Sequence, residues 1–306
     1  MSITFLQLAQ RVLSESEKPL SVEQIWQIAT DKKYSEELNS TGKTPLHTLG
    51  AQLYVNVKTG SSSKFAAIGS RPKYFYLKAK EGNIQLEVVS EEDKKLPEKI
   101  SFQEKQLHPF LAHFAQYELE AFTKTINHSK SSKSSFGQWT HPDMVGCYFP
   151  DWKNATMELS RTLGHSPVKL FSFELKRDLS FGNLRESFFQ AVSNSSWANE
   201  GYLGAAQISQ DPSFLNELKR LSESFGIGVI QIDINDPFST RIVFPSQKRD
   251  IDWESVNKIC ELNPDFELFL QRVKIDFTSN VRHEKEYDEV LTAEELRASL
   301  LTSSSS

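Results

Sequence analysis

Apolar positions along this chain follow two spacings. From Thr4 to Leu13 they recur at helical intervals, at Phe5, Leu8, Ala9, Val12 and Leu13. Lys18-Pro19-Leu20-Ser21 interrupts that pattern, and Ser21 is an N-cap residue for the next helix. Val22, Ile25, Trp26 and Ala29 mark one side of that second helix. The polar stretch Ser35 to Lys43 predicts a loop. Thr44-Pro45 predicts a cap with proline at the first helical position, opening a third helix with Leu46, Leu49, Leu53 and Val57 as its stripe. After Gly60-Ser61-Ser62-Ser63 the pattern changes to that of strands. Phe65-Ala66-Ala67-Ile68 and Tyr74-Phe75-Tyr76-Leu77 flank the turn Gly69-Ser70-Arg71-Pro72.

Further along, helices and strands alternate. A helix is predicted from Leu107 to Thr125, with Phe110, Leu111, Phe114 and Phe122 on its apolar side. Short apolar runs follow at Met144-Val145-Gly146, Val168 to Lys176, Tyr202 to Gln207, Gly226 to Ile234 and Arg241 to Phe244. Helical patterns lie between and after them, at Asn154 to Gly164, Asn183 to Val192, from Asp211-Pro212, at Asp252 to Cys260 and at Pro264 to Phe277. This order predicts an α/β domain with a mixed sheet flanked by helices, and an α+β chain overall. The boundaries read as a first domain over 1–80, a linker over 81–100, a second domain over 101–284 and a charged, flexible tail over 285–306. Ile84 to Val89 alternates like a strand, so the linker is either stiff or partly ordered.

Charge sharpens this division. The net charge is −5, yet residues 1–80 hold 11 Lys and Arg against 6 Asp and Glu, and the remainder holds 24 against 34. A basic small domain on an acidic larger one points to a polyanion as the first domain's partner, or to nothing more than solubility. Two cysteines, Cys147 and Cys260, give no zinc pattern and fit a reducing compartment. No apolar run is long enough to span a bilayer, and Met1-Ser2-Ile3-Thr4-Phe5 lacks the features of a secretory signal, so a cytoplasmic protein is expected, with no membrane partner.

Three helices followed by a β-hairpin predict a winged helix-turn-helix over the first 80 residues. Leu20-Ser21-Val22-Glu23-Gln24-Ile25-Trp26, Thr44-Pro45-Leu46-His47-Thr48-Leu49-Gly50-Ala51-Gln52-Leu53-Tyr54 and Phe75-x-Leu77 resemble the HARE-type helix-turn-helix family over about residues 2–78. Those positions are mostly core and caps, so they speak for fold. The resemblance implies binding of double-stranded DNA, and such domains occur in bacteria fused to restriction-type nucleases. On the third helix Lys43, His47, Thr48, Gln52 and Lys58 are the candidates for groove and phosphate contacts, and Lys64, Arg71 and Lys73 are those on the wing. Taken singly, each lysine reads more readily as a solvated surface charge, and Gln52 reads as readily as filler as it does as a base reader.

The chemistry-bearing stretch lies between Trp139 and Arg177. Glu174 and Lys176 fall on one face of an apolar strand, opposite Phe173 and Leu175. Asp143 follows a proline that favours an extended approach. Buried charges are costly unless paired or holding a metal, and converging carboxylates suit Mg²⁺. Pro142-Asp143 with Glu174-Leu175-Lys176 resembles the PD-(D/E)xK nuclease superfamily. The resemblance implies that Asp143 and Glu174 bind Mg²⁺ and that Lys176 orients the attacking water. It also implies a first-helix glutamate, Glu118 with Glu120 as rival, and a later-helix glutamine, Gln190, in supporting roles. The alternative is an ordinary cross-strand salt bridge. His141 shares a strand face with Asp143 and reads as a packed histidine, and His165 as a loop residue. The Ser-rich loop from Asn127 to Ser135 falls just before the strand bearing Asp143. The expectation is a Mg²⁺-dependent endodeoxyribonuclease of restriction or defence type. Cutting both strands needs two active sites and therefore points to a homodimer. The alternative is a non-catalytic DNA-binding regulator.

Overall fold

The structure, a computed structural model, describes residues 3–38, 45–58, 63–69, 73–82, 102–127, 141–164 and 166–302. The chain divides into two compact units. The first is Met1–Ser101 with Asn235–Ser239, and the second is Phe102–Ile234 with Thr240–Ser306.

In the first unit the helical patterns become α1 (Phe5–Glu15), α2 (Val22–Asp31) and α3 (Pro45–Lys58). The caps carry the boundaries. Thr4 and Ser21 each form a reciprocal capping box, with Gln7 and Gln24 as the returning residues. The strands β1 (Phe65–Ile68) and β2 (Tyr74–Leu77) pair antiparallel, Phe65 opposite Leu77. Leu8, Ile25, Leu49, Leu53 and Phe75 are fully buried in one core. Leu20 exchanges backbone hydrogen bonds with Phe75, at 3.0 and 2.8 Å, which ties the turn before α2 to the hairpin. The unit is therefore a three-helix winged helix. The linker expected over 81–100 lies, from residue 83, outside the described residues.

The second unit opens with α4 (His108–Glu118) and then β3 (Ala121–Thr125). This corrects the single helix expected over Leu107 to Thr125. Glu120 takes φ +52°, a left-handed turn that ends the helix, and Ala-Phe-Thr-Lys-Thr alternates as an edge strand instead. Next come β4 (Met144–Tyr148), α5 (Asn154–Thr162), β5 (Lys169–Leu179), α6 (Leu184–Ser195), β6 (Glu200–Ile208) and α7 (Pro212–Phe225). The unit continues through β7 (Gly228–Gln231), β8 (Arg241–Phe244), α8 (Trp253–Leu262), α9 (Pro264–Ser279) and α10 (Ala293–Thr302).

The six strands lie in the order β3-β4-β5-β6-β7-β8. The central pairs β5–β6 and β6–β7 are parallel and the others antiparallel. The parallel pairs need crossovers, which α6 and α7 supply. The mixed sheet flanked by helices is the fold class the alternating pattern predicts.

The C-terminal segment differs from the flexible tail expected. The Asp288 N–H donates to the Thr123 carbonyl at 2.8 Å and the Lys124 ammonium to the Glu286 carbonyl at 2.8 Å, so residues 286–288 cover the edge of β3. Tyr287 is buried and donates to Asp276 at 3.0 Å, and Leu296 and Leu300 are fully buried. A lone helix over Thr292 to Arg297 is readable from this segment and forms as α10, but its apolar positions do not show that it packs against the sheet unit.

Candidate functional site

β4 and β5 pair from Tyr148↔Lys169 to Met144↔Phe173, and there β4 ends. β5 continues to Leu179, longer than the apolar run suggests, paired with β6. At that step the backbone N–H of Leu175 lacks a β4 partner. The Asp143 carboxylate, one residue before β4, accepts it at 2.7 Å. The side chain of Asp143 thus takes the place of a ladder carbonyl, which is why an acid can sit there 5% exposed.

Glu174 is more deeply buried, at 1% exposure. Its Oε1 accepts from the Lys176 ammonium at 2.7 Å and its Oε2 from the Asn194 amide at 2.9 Å. Burial, and then the nearby charge of Asp143, push the Glu174 carboxyl up to about 7, while Lys176 and Asn194 work against that rise. Burial alone would lower Lys176. The carboxylates of Glu174, Asp143 and Glu104 outweigh it and raise the ammonium above its ordinary value. The structure therefore brings the buried Asp143 and Glu174 together with the half-buried Lys176 in one cluster with carboxylates in excess.

Two partners in this cluster differ from those expected. Glu118 lies at the far end of α4 and is exposed. The neighbouring Ala121 pairs with Tyr148, five residues along β4 from Asp143, a span of roughly 17 Å. Glu120 is exposed beside it. The glutamate near Lys176 is Glu104, 3.7 Å from its ammonium, in the short 3₁₀ turn Glu104–Leu107 before α4. Burial and then Asp143 raise the Glu104 carboxyl, and Lys176 opposes them. Because β3 runs antiparallel to β4, the start of α4 and not its end approaches Asp143. Gln190 is half-buried, and the hydrogen bond to Glu174 comes from Asn194, one turn further along α6 on the same face. The i, i+4 spacing from Gln190 was the signal that could have found it.

His141 is buried, as a packed histidine would be. The Ser-rich loop lies outside the described residues from 128 onward, and so does His165. Among the described residues no group of three or more His, Cys, Asp and Glu is arranged to hold a metal ion.

In the first unit, Lys43 and Arg71 lie outside the described residues, as do the side chains of His47 and Lys58 on α3. Thr48 and Gln52 are half-buried on that helix. Lys64 is exposed before β1 and donates to Gln10 at 3.5 Å, and the Lys73 ammonium sits 4.8 Å from the Tyr54 ring centroid. The wing lysine Lys73 is thus engaged with an aromatic face.

The first unit has the architecture of a DNA-binding winged helix. Residues 3–75 match the HARE-HTH family model, whose description names ASXL and the restriction endonuclease HTH domain. The match supports DNA binding by the helix-turn-helix. No curated protein and no solved structure matches the chain. Among the described residues no helix is long and apolar enough to cross a membrane.

Proposed function

We propose that this chain is a metal-dependent endodeoxyribonuclease of restriction or defence type, in which the winged helix selects duplex DNA or its modification state. The observation that carries this reading is the cluster of the buried Asp143 and Glu174 with the half-buried Lys176 where β4 ends. Where stability alone is at stake, apolar residues in place of a buried salt bridge serve as well or better. An isolated pair would also not need a second buried carboxylate whose charge raises the first.

The residues fit a hard divalent cation such as Mg²⁺. Asp143 and Glu174 offer only oxygen donors, and their mutual repulsion is what a cation relieves. With two carboxylates, most of the ion's positions go to water, as Mg²⁺ favours. When bound, Mg²⁺ supplies a water of lowered pKa and offsets charge on the phosphate. Lys176 places a fixed positive charge within 2.7 Å of Glu174 and can orient a water or a phosphate oxygen beside it. Glu104 and Asn194 hold Lys176 and Glu174 respectively in place.

The test is cleavage of supercoiled plasmid by the full chain in Mg²⁺ and in EDTA. Nicking or linearisation in Mg²⁺, absent in EDTA and absent for Glu174→Ala with DNA binding retained, is the expected result. Duplex binding by a protein that leaves DNA intact with both Mg²⁺ and Mn²⁺ would replace this reading with that of a DNA-binding regulator.

A further inference from the structure

Asn194 holds more of the cluster than Glu174 alone requires. It is 3% exposed, near the end of α6. Its backbone carbonyl accepts from the Ser172 hydroxyl at 3.0 Å and from the Trp197 indole N–H at 2.9 Å. Helix ends leave carbonyls without intrahelical partners, and these two donors fix this one to β5 and to the following turn. The side chain starts from a rigid base. Its Nδ2 donates to Glu174 Oε2 at 2.9 Å. Its Oδ1 is buried and has no hydrogen-bond partner among the described residues.

The amide cannot relieve that by turning over. Reversal would set Oδ1 against the Glu174 carboxylate, acceptor facing acceptor, so the acid dictates the orientation. A buried amide oxygen without a donor is unfavourable and rare in folded proteins.

We infer that Asn194 is a two-sided positioning residue: Nδ2 fixes Glu174, and Oδ1 accepts a hydrogen bond from a water carried by the cation that Asp143 and Glu174 bind. This rests on the reading of the cluster as a metal site. It assigns the orphaned oxygen a donor that arrives with the ion. It also accounts for an amide at the α6 position touching Glu174, since an amide offers its donor and its acceptor on two separate atoms.

The experiment is Mn²⁺ binding to the full chain, read from the electron paramagnetic resonance signal of free Mn²⁺. Wild type is compared with Asn194→Leu, near in shape but apolar, and with Asn194→Asp, which keeps an acceptor and loses the donor. Asn194→Leu should bind Mn²⁺ about 10- to 100-fold more weakly. Asn194→Asp should bind at least as tightly as wild type, a rescue that a purely structural role would not give. Thermal melting confirms folding, and Asn194→Ala replaces the leucine variant if that one does not fold. Wild-type affinity in folded Asn194→Leu overturns the inference and leaves the metal site standing. Equal losses in the leucine and aspartate variants overturn the role of Oδ1. A wild-type chain that binds no Mn²⁺ removes both the inference and the nuclease reading beneath it.

Discussion

In the first unit the ion pairs between described residues lie at the surface: Arg11 with Glu37 at 2.9 Å and Lys32 with Glu15 at 2.6 Å, each partner more than a third exposed. In the second unit Glu174, Asp143 and Asp276 are carboxylates at 1%, 5% and 0% exposure. Surface pairs contribute little and can be exchanged freely, whereas buried carboxylates impose a cost that other contacts must offset. The winged helix is therefore held by an apolar core and its caps, and the buried carboxylate grouped with it, Asp236 at 4% exposure, is satisfied by the Tyr54 and Ser239 hydroxyls at 2.6 and 2.8 Å. The sheet unit concentrates strain of an electrostatic kind at one strand step. Asp276 is fully satisfied by His283 and Tyr287, at 2.6 and 3.0 Å, and ties down the C-terminal segment. The Asp143–Glu174 pair keeps its mutual repulsion.

The largest effect that could break this contrast is in the winged-helix core. Phe75 is fully buried, 5.1 Å from Tyr54 ring to ring, and its backbone holds Leu20. Phe75→Ala should destabilise the first unit by about 3–5 kcal/mol and abolish duplex binding in a gel shift. Mn²⁺ binding by the second unit should persist. Loss of both functions together would show that the two units do not fold independently.

A somewhat smaller effect tests the buried pair through pH. Glu174 has a folded value of about 7 against an ordinary 4.5, so the native state binds the extra proton within that window. Stability from this group is full below about pH 4.5, falls as pH rises, and is lost above about pH 7. The shift corresponds to at most about 3 kcal/mol. Urea unfolding at pH 5 and pH 8 should show wild type losing up to that amount, with the slope absent from Glu174→Ala. Saturating Mg²⁺ should also flatten it. A wild-type profile that rises over the same range would mean that Glu174 is ionised without cost.

These two regions were not equally legible. Short apolar runs and cap residues gave the winged helix, because Ser21, Pro45 and the two four-residue strands are local signals that need no distant partner. Asp143, Glu174 and Lys176 were visible as residue types at a strand. Glu104 and Asn194 were not, since which end of α4 and which turn of α6 reach the cluster depends on strand direction and register. The helix expected through Thr125 failed for a related reason: an apolar sequence of Ala-Phe-Thr fits either period, and the sheet edge decided it. The packed C-terminal segment depends on the buried Asp276, which no local pattern announces.

The smallest effect sharpens the contrast at a single cap. Ser21 Oγ accepts from the Gln24 N–H at 3.2 Å, and Gln24 Oε1 accepts from the Ser21 N–H at 3.0 Å. Ser21→Ala should cost about 1 kcal/mol, read as a fall of a few degrees in the melting of the first unit, with duplex binding retained. Ser21→Asp should restore most of it, because a carboxylate also accepts at a helix N-terminus and complements its dipole. The cap of α9 gives the comparison. Asn263 is fully buried, accepts from Asp265 and Phe266 at 2.9 and 3.3 Å, and donates to the Asn127 carbonyl at 3.2 Å. An aspartate there has no donor for Asn127 and adds a buried charge, so Asn263→Asp should fail to rescue Asn263→Ala. Rescue by aspartate at Ser21 and not at Asn263 would locate the difference in the donor that Asn127 requires and in the deeper burial of Asn263, at 0% exposure against 7% for Ser21. Rescue at both positions would show that the second unit tolerates buried charge generally, and the Asp143–Glu174 pair would lose its claim to be special.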